Sequence, residues 1–295
     1  MDKKKYDTLV IGHVSLDIDL YEGKTTKRYG GAVLYSSYSA VAGGNKVGVV
    51  TKAKKEDEEE IIQLFNTPTD DIYYEVSKDR TSIRNEYLTA DREQRISSAI
   101  SVADPYSIED IPQVDSSIYH LAGLIVGDYN DDMIERLSQR GKVAVDVQGY
   151  LRRNIDGEMI YHDWEQKEKY LPYIDFLKTD ALEAEILTGE ADRRKAAKML
   201  YDLGAKEIMV TYNTEVLIYD GKNYYTAPLK PRNLTGRTGR GDTCFSAYIT
   251  ERLTKDIENS VKYAAAAVSL KMETPGPFKG TREDVEAYIK EFYDI

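Results

Sequence analysis

Short apolar runs alternate with longer amphipathic stretches along most of this chain. The first run, YDTLVIG over 6–12, is apolar through its second half, the pattern of a strand buried on both faces. Residues 14–30 then alternate polar and apolar positions, with Glu22-Gly23 as a hairpin turn. AVLYSSYSAVAGG carries small and apolar residues at helical spacing and stops at Gly43-Gly44, a C-cap signal. NKVGVVTKA predicts the next strand, EDEEEIIQLFN an acidic helix and IYYEVS a short strand. A second polar alternation, RTSIRNEYLTADREQRISSAIS, folds back on itself about TADRE.

From residue 117 the pattern becomes regular. SIYHLAGLI, KVAVDVQG, DFLKTD and EIMVTY predict strands, separated by the helical stretches NDDMIERLSQRG, ALEAEILTG and RRKAAKMLYDLG. VLIYDGKNYYTAPL reads as a hairpin turning at Asp220-Gly221. Helices are expected over about 243–253, 258–272 and 281–293. Strands that alternate with helices make parallel βαβ units, so the expected class is α/β: a three-layer, mostly parallel sheet with helices on both faces, one domain spanning 1–295. The hairpins at about 14–30 and 80–102 have too few apolar positions for a core of their own. They predict a small β lid over the carboxyl ends of the strands, where open α/β sheets bind ligands.

Charge narrows the partners. With 51 acidic against 40 basic side chains and a net charge of −11, no nucleic acid partner is expected. One cysteine, Cys244, allows no internal disulfide, and three histidines without CxxC or HExxH argue against a structural zinc. The opening MDKKKYDTLVIGHVS has too short an apolar run for a signal segment, and no stretch is long enough to span a membrane. A cytoplasmic protein is expected.

The densest glycine cluster lies in TGRTGRGDTCF, 235–245. Beyond Asp242, apolar residues fall at Cys244, Phe245, Tyr248, Ile249 and Leu253, one face of a helix. Gly239, Arg240 and Gly241 therefore stand at a helix N-terminus, where unpaired N–H groups and the macrodipole favour an anion. The spacing is neither GxxxxGK[ST] nor GxGxxG. Asp242 reads equally as a helix N-cap and as a catalytic carboxylate, and the two roles are compatible.

TGRTGRGDTCF resembles the C-terminal signature of the ribokinase-like (PfkB) carbohydrate kinases, roughly DTTGAGDTF. The resemblance implies an anion hole at Gly239, Arg240 and Gly241, and Asp242 as the base that takes the proton from the acceptor hydroxyl. Other segments match in order. GHVSLDID resembles the family's first strand, with Asp17 as the aspartate that grips sugar hydroxyls, and YGGAVLYSS resembles its GG motif, placing Gly30, Gly31 and Tyr35 beside the acceptor. DFLKTDALEAEILTG resembles the K-x-N-xx-E stretch, which implies Asp180 near the phosphates and Glu183 at the metal-linked position. VTYNTEVLIYDG resembles the nucleotide-side strand and loop, with Thr211 and Asn213; Thr238 and Gly239 complete that side. AAAAVSLKMETPGP resembles the helix and turn beside adenine.

The departures are specific. Gly236 replaces the signature's first aspartate, which helps hold a monovalent cation, so the resemblance does not carry potassium activation over. Arg237 replaces the following threonine, and Arg240 the anion-hole alanine, where it either adds a cation at the transferring phosphate or points to solvent. Asp180 stands where asparagine is usual, and Tyr35 likewise. Apart from the resemblance, KVAVDVQGYLRR puts Asp146, Gln148 and Arg152 just past a strand's carboxyl end, with Gln148 and Arg152 as candidate substrate contacts.

The implied function is ATP-dependent phosphorylation of a hydroxyl on a small sugar or polyol, with Mg2+ as cofactor. A nucleoside kinase, with Tyr35 stacking on the base, is the alternative on the same fold, and a catalytically silent sugar- or nucleotide-binding protein is the alternative outside it. Lid strands of this family can pair between subunits, which is compatible with a homodimer.

Overall fold

The computed structural model describes residues 3–89 and 95–294; residues 90–94, which include most of the TADRE turn, lie outside the described residues. Strands β1 (Lys5–Ile11), β2 (Ser15–Tyr21) and β3 (Lys24–Gly30) lead into helix α1 (Ala32–Ala42) and strand β4 (Val47–Ala53). Helix α2 (Glu58–Gln63) precedes strands β5 (Ile72–Val76), β6 (Thr81–Tyr87), β7 (Arg95–Ser101) and β8 (Asp115–Leu121). Next come α3 (Met133–Ser138), β9 (Lys142–Asp146), α4 (Gln148–Leu151), β10 (Arg152–Ile155), β11 (Glu158–Tyr161) and α5 (Lys167–Tyr170). They are followed by β12 (Phe176–Asp180), α6 (Ala181–Thr188), α7 (Arg193–Asp202), β13 (Glu207–Thr211), β14 (Glu215–Tyr219) and β15 (Tyr224–Pro228). Helices α8 (Arg240–Glu251), α9 (Ile257–Met272) and α10 (Arg282–Phe292) complete the order.

Nine strands form the main sheet in the order β15-β14-β13-β12-β9-β8-β1-β4-β5. From β13 to β5 every pairing is parallel, and only β14 and β15 run antiparallel at one edge. Side chains alternate between the two faces. Phe176 and Met209 pack into the layer of α8, α9 and α10, while Leu177, Ile208 and Val210 pack against α3, α6 and α7. Toward β4 the core continues between Val10, Val49 and α1. This is the three-layer α/β class expected from the alternation of runs, and it leaves all the parallel strands ending on one side.

The second sheet, β10-β11-β7-β6-β2-β3, is larger than the two expected hairpins. β2 and β3 turn at Glu22-Gly23, both with positive φ (47° and 73°), the conformation that lets a two-residue hairpin match strand twist. β6 pairs in parallel with β2 and antiparallel with β7. A third hairpin, β10–β11, turns at Asp156-Gly157 (φ 51° and 90°) and joins β7. The sequence carries that turn signal at Asp156-Gly157 just as it does at Asp220-Gly221, but Arg152 and Arg153 break the apolar alternation that would mark a strand. Among the described residues, no helix is long and apolar enough to cross a membrane.

Candidate active site

A cavity of about 1080 Å³ opens between the lid sheet and the carboxyl ends of the parallel strands. Its lid-side wall includes Ser15, Asp17, Arg28, Asn85, Arg95 and Arg152. β2 alternates its side chains, so Asp17 and Asp19 point the same way, and both meet Arg28 on the paired strand β3. Arg28 Nε donates to Asp19 Oδ2 at 2.8 Å and Nη2 lies 3.6 Å from Asp17 Oδ2. Ser15 Oγ donates to Asp17 Oδ1 at 2.7 Å, and Asn85 Nδ2 to Asp19 Oδ1 at 3.2 Å. Burial raises the Asp17 pKa, against the pull of Arg28. Gly30 ends β3 opposite Ser15. Gly31, which caps α1 at φ 101°, lies so close to the His13 carbonyl that a Cβ would come within 2.5 Å of it.

The opposite wall is the turn that starts α8. Gly239 takes the cap position in the left-handed region at φ 79°, and a Cβ there would lie 2.1 Å from the Tyr35 ring. Arg240, Gly241 and Asp242 form the helix's first turn. The first bond across this turn runs from Thr243 N–H to the Gly239 carbonyl, so the amides of Arg240, Gly241 and Asp242 precede the helix's internal ladder, on a segment that lines the cavity. Asp242 is therefore third in the helix and not its N-cap. Its carboxyl is pushed up to about 6, first by burial and then by Asp146, with Lys178 and Lys271 pulling the other way. That leaves a carboxylate at neutral pH that is more basic than an ordinary aspartate.

Beneath the turn lies a buried charge cluster. Lys178, near the end of β12, donates to Asp146 Oδ1 at 3.1 Å and lies 3.0 Å from Oδ2 and 3.6 Å from Glu183 Oε2. A Cβ on Gly241 would sit 3.4 Å from the Lys178 Nζ, so the lysine lies alongside the first turn of α8. Asp180 and Glu183 close a reciprocal capping box at the start of α6, Asp180 N–H to Glu183 Oε2 at 2.7 Å and Glu183 N–H to Asp180 Oδ1 at 2.8 Å. Burial pushes Glu183 up to about 8. Asp180 lines the cavity, whereas Glu183 is nearly inaccessible and committed to Lys178 and the cap. Among the described residues, no three His, Cys, Asp or Glu side chains cluster as a metal site. Magnesium, however, is usually held by one or two carboxylates together with substrate phosphates, and Asp180 fits that mode.

The remaining candidates converge on the same cavity. Thr211, at the end of β13, lines it with Thr238 and Gln148. Asn213 accepts from Arg240 Nη2 at 2.8 Å, tying the loop after β13 to the α8 turn. Arg152 is 6% exposed, lines the cavity, and has Met159 Sδ at 3.5 Å as its hydrogen-bonding contact. Burial lowers its pKa from the usual arginine value. Tyr35 is 2% exposed, its ring against Gly239 and under Lys271, and its hydroxyl accepts from Arg28 Nη1 at 3.2 Å. No ring face is presented for stacking on a base. Sequence reasoning missed Arg28, Asn85, Lys178 and Lys271. Both lysines were detectable as charges inside otherwise apolar segments, FLKT and VSLKM.

The pattern of the pfkB family of carbohydrate kinases matches residues 6–283. The fold superposes with a TM-score of 0.85 on a pyrophosphate-dependent kinase in the ribokinase family complexed with a pyrophosphate analog and myo-inositol, 37% identical, over 95% of this chain and 99% of that one. A cytidine kinase of Thermococcus kodakarensis is 27% identical over 259 residues, 82% of this chain and 87% of that protein. A ribokinase of Arabidopsis thaliana complexed with ribose and ATP shares the fold at 17% identity and a TM-score of 0.76, over 98% and 99% of the two chains.

Proposed function

The chain belongs to the pfkB family of carbohydrate kinases, and from that premise we propose that it moves the terminal phosphoryl group of a condensed phosphate to a hydroxyl of a small polyol or sugar. The observation that carries this reading is the first turn of α8: its leading amides, ahead of the helix's internal ladder, and the Asp242 carboxylate stand together at the wall of the lid-covered cavity. Phosphoryl transfer asks chiefly for positioning and for positive potential around the moving group. The amides of Arg240, Gly241 and Asp242 supply that potential, reinforced by the helix dipole. Asp242 accepts the hydroxyl proton as the oxygen attacks. Asp17, held by Ser15 and Arg28, orients the acceptor's other hydroxyls, and Arg152 donates to them from the lid. Asp180 would hold a magnesium ion brought in on the donor, which supplies charge neutralisation at the phosphates.

For the donor, pyrophosphate is favoured over the ATP that the resemblance alone implied. Pyrophosphate has no base or ribose to grip, so its affinity must come from cations. Arg237, Arg240 and Lys178 line the cavity on the phosphate side, two of them where the family signature has neutral residues. The 37%-identical neighbour is described as pyrophosphate-dependent, which supports the same choice. A second reading, ATP, is favoured by exposed Leu182, Tyr212 and Leu234 at the cavity rim, which offer apolar surface to a purine. For the acceptor, the packed ring of Tyr35 weakens the nucleoside alternative. The test is a matrix of donors, pyrophosphate and Mg-ATP, against acceptors, namely myo-inositol, other polyols, sugars and cytidine. Phosphorylated product is read by 31P NMR, with Asp242→Asn as blank. Product from pyrophosphate and a polyol is expected; no product in any combination would refute the kinase reading.

A further inference from the structure

Lys271 is a lysine with 0% exposure on the last turn of α9. Its Nζ donates to the Gly236 carbonyl at 2.5 Å and stands 5.4 Å from the centroid of the Tyr35 ring. No carboxylate lies within ion-pair distance of it among the described residues. An ammonium group has three donors and is costly to bury without an opposite charge, so lysines are rarely enclosed in this way. The segment it holds is the one that leads into the α8 turn. Gly236 N–H also bonds the Met272 carbonyl at 2.8 Å, and the Thr235 hydroxyl bonds the Glu273 carbonyl at 2.6 Å. Three consecutive residues at the end of α9 and beyond thus lace down the strand of chain just ahead of Gly239. The Tyr35 ring, which fits against Gly239, lies between this lysine and the turn.

We propose that Lys271 is a positioning residue of the phosphoryl-transfer site, a tethered cation that braces the chain entering the anion turn and sets a fixed positive charge beside Asp242. The inference rests on the reading of Asp242 as the base. The groups facing Lys271 are Asp242 from α8, Arg28 from β3 and Tyr35 from α1; those facing Asp242 are Asp146 from β9, Lys178 from β12, Tyr35 from α1 and Lys271 itself. Burial pulls Lys271 down to about 8, with Asp242 resisting, so the ammonium is present at neutral pH and is lost as pH rises through that value. In the same pH range its charge draws the Asp242 carboxyl toward the ionised form. The lysine therefore acts on catalysis through the base and the turn, without touching the reacting atoms.

The test compares wild type with Lys271→Met and Lys271→Arg in two measurements. The first is a 13C NMR titration of side-chain carboxyls, with Asp242→Asn assigning the Asp242 resonance. Loss of the charge in Lys271→Met is expected to move the Asp242 titration upward from about 6 by half a unit or more, roughly a threefold change or greater in its proton affinity. Lys271→Arg is expected to leave it in place. The second is the pH profile of kcat/KM. The methionine variant should lose about tenfold or more at neutral pH and show a displaced acid limb. The arginine variant should keep most activity and extend the alkaline limb beyond about 8. An Asp242 titration that Lys271→Met does not move, or equal losses in both variants with unchanged limbs, would overturn the proposal and leave a purely structural lysine. The titration needs no substrate, so a wild-type chain inactive with every donor and acceptor would refute the kinase reading while the carboxyl shift still decides the role of Lys271.

Discussion

Replacing Asp242 by Asn removes the proposed base and also removes a charge that the fold holds at a disadvantage, so activity and stability should move in opposite directions. The carboxyl rises from 3.8 to about 6 on folding. At about 1.4 kcal/mol per pH unit, that shift disfavours the folded, ionised state by about 3 kcal/mol. Water reaches the cavity wall, and Lys271 loses its facing charge in the variant, so a net gain of about 1–2 kcal/mol is expected. The sign follows from the raised folded-state value. Below 3.8 both states are protonated and the disadvantage is absent; between 3.8 and about 6 the unfolded chain ionises first and the disadvantage grows; above about 6 it is constant. Urea unfolding of both proteins across this range is the assay. The stability of Asp242→Asn minus that of wild type should climb from about pH 4 to a plateau above about pH 6. In the same preparations kcat/KM should fall by about a hundredfold to ten-thousandfold. A difference that does not vary with pH, or a variant less stable than wild type at neutral pH, would refute the account of why this carboxylate is basic.

The wild-type profile of kcat/KM should fall as pH drops through about 6, where Asp242 takes up its proton; a flat profile down to about pH 5 would exclude it as the base. Arg152→Met should raise the acceptor KM by about tenfold to a few hundredfold, the loss of one or two charged hydrogen bonds, with little change in the urea midpoint. An unchanged acceptor KM would remove Arg152 from the acceptor site. Arg240→Ala should weaken the donor more than the acceptor, since it both faces the phosphate side and ties Asn213 to the turn; initial rates with each substrate varied in turn will separate the two, and an unchanged donor KM assigns the arginine to the surface. Gly239→Ala forces a Cβ into the Tyr35 ring at a left-handed position, which should cost about 1–3 kcal/mol or more together with most of the turnover, and wild-type melting and kcat would contradict the fit of that turn.

The sheet was legible because its parallel strands are buried on both faces and so appear as apolar runs separated by helical spacing; Leu9, Val10 and Ile11 in β1 are each 0% exposed. The lid was legible only in part. Its strands carry one polar face, and β10–β11 hides behind Arg152 and Arg153, where nothing in the local pattern says that Arg152 will be buried. The start of α8 was also displaced. Apolar periodicity begins at Cys244, but the helix begins at Arg240, because Gly239 can adopt the left-handed cap and the polar first turn then follows it.

At the site itself, spacing located the amide turn, since three glycines ahead of an amphipathic helix are a local signal. What spacing cannot carry is the charge balance beneath it, which depends on contacts between distant segments. Lys178 meets Asp146 across 32 residues, and the Ser36 hydroxyl reaches the Asp242 carbonyl across 206. The outcome is physically consequential: Asp146 and Glu183 hold the Lys178 ammonium in direct contact, while Asp242 feels it only through space. Asp242 is left with weaker, more distant compensation and a raised proton affinity. Burial first and the neighbouring Asp146 charge second, and not the presence of the signature aspartate by itself, give Asp242 the basicity its proposed role requires.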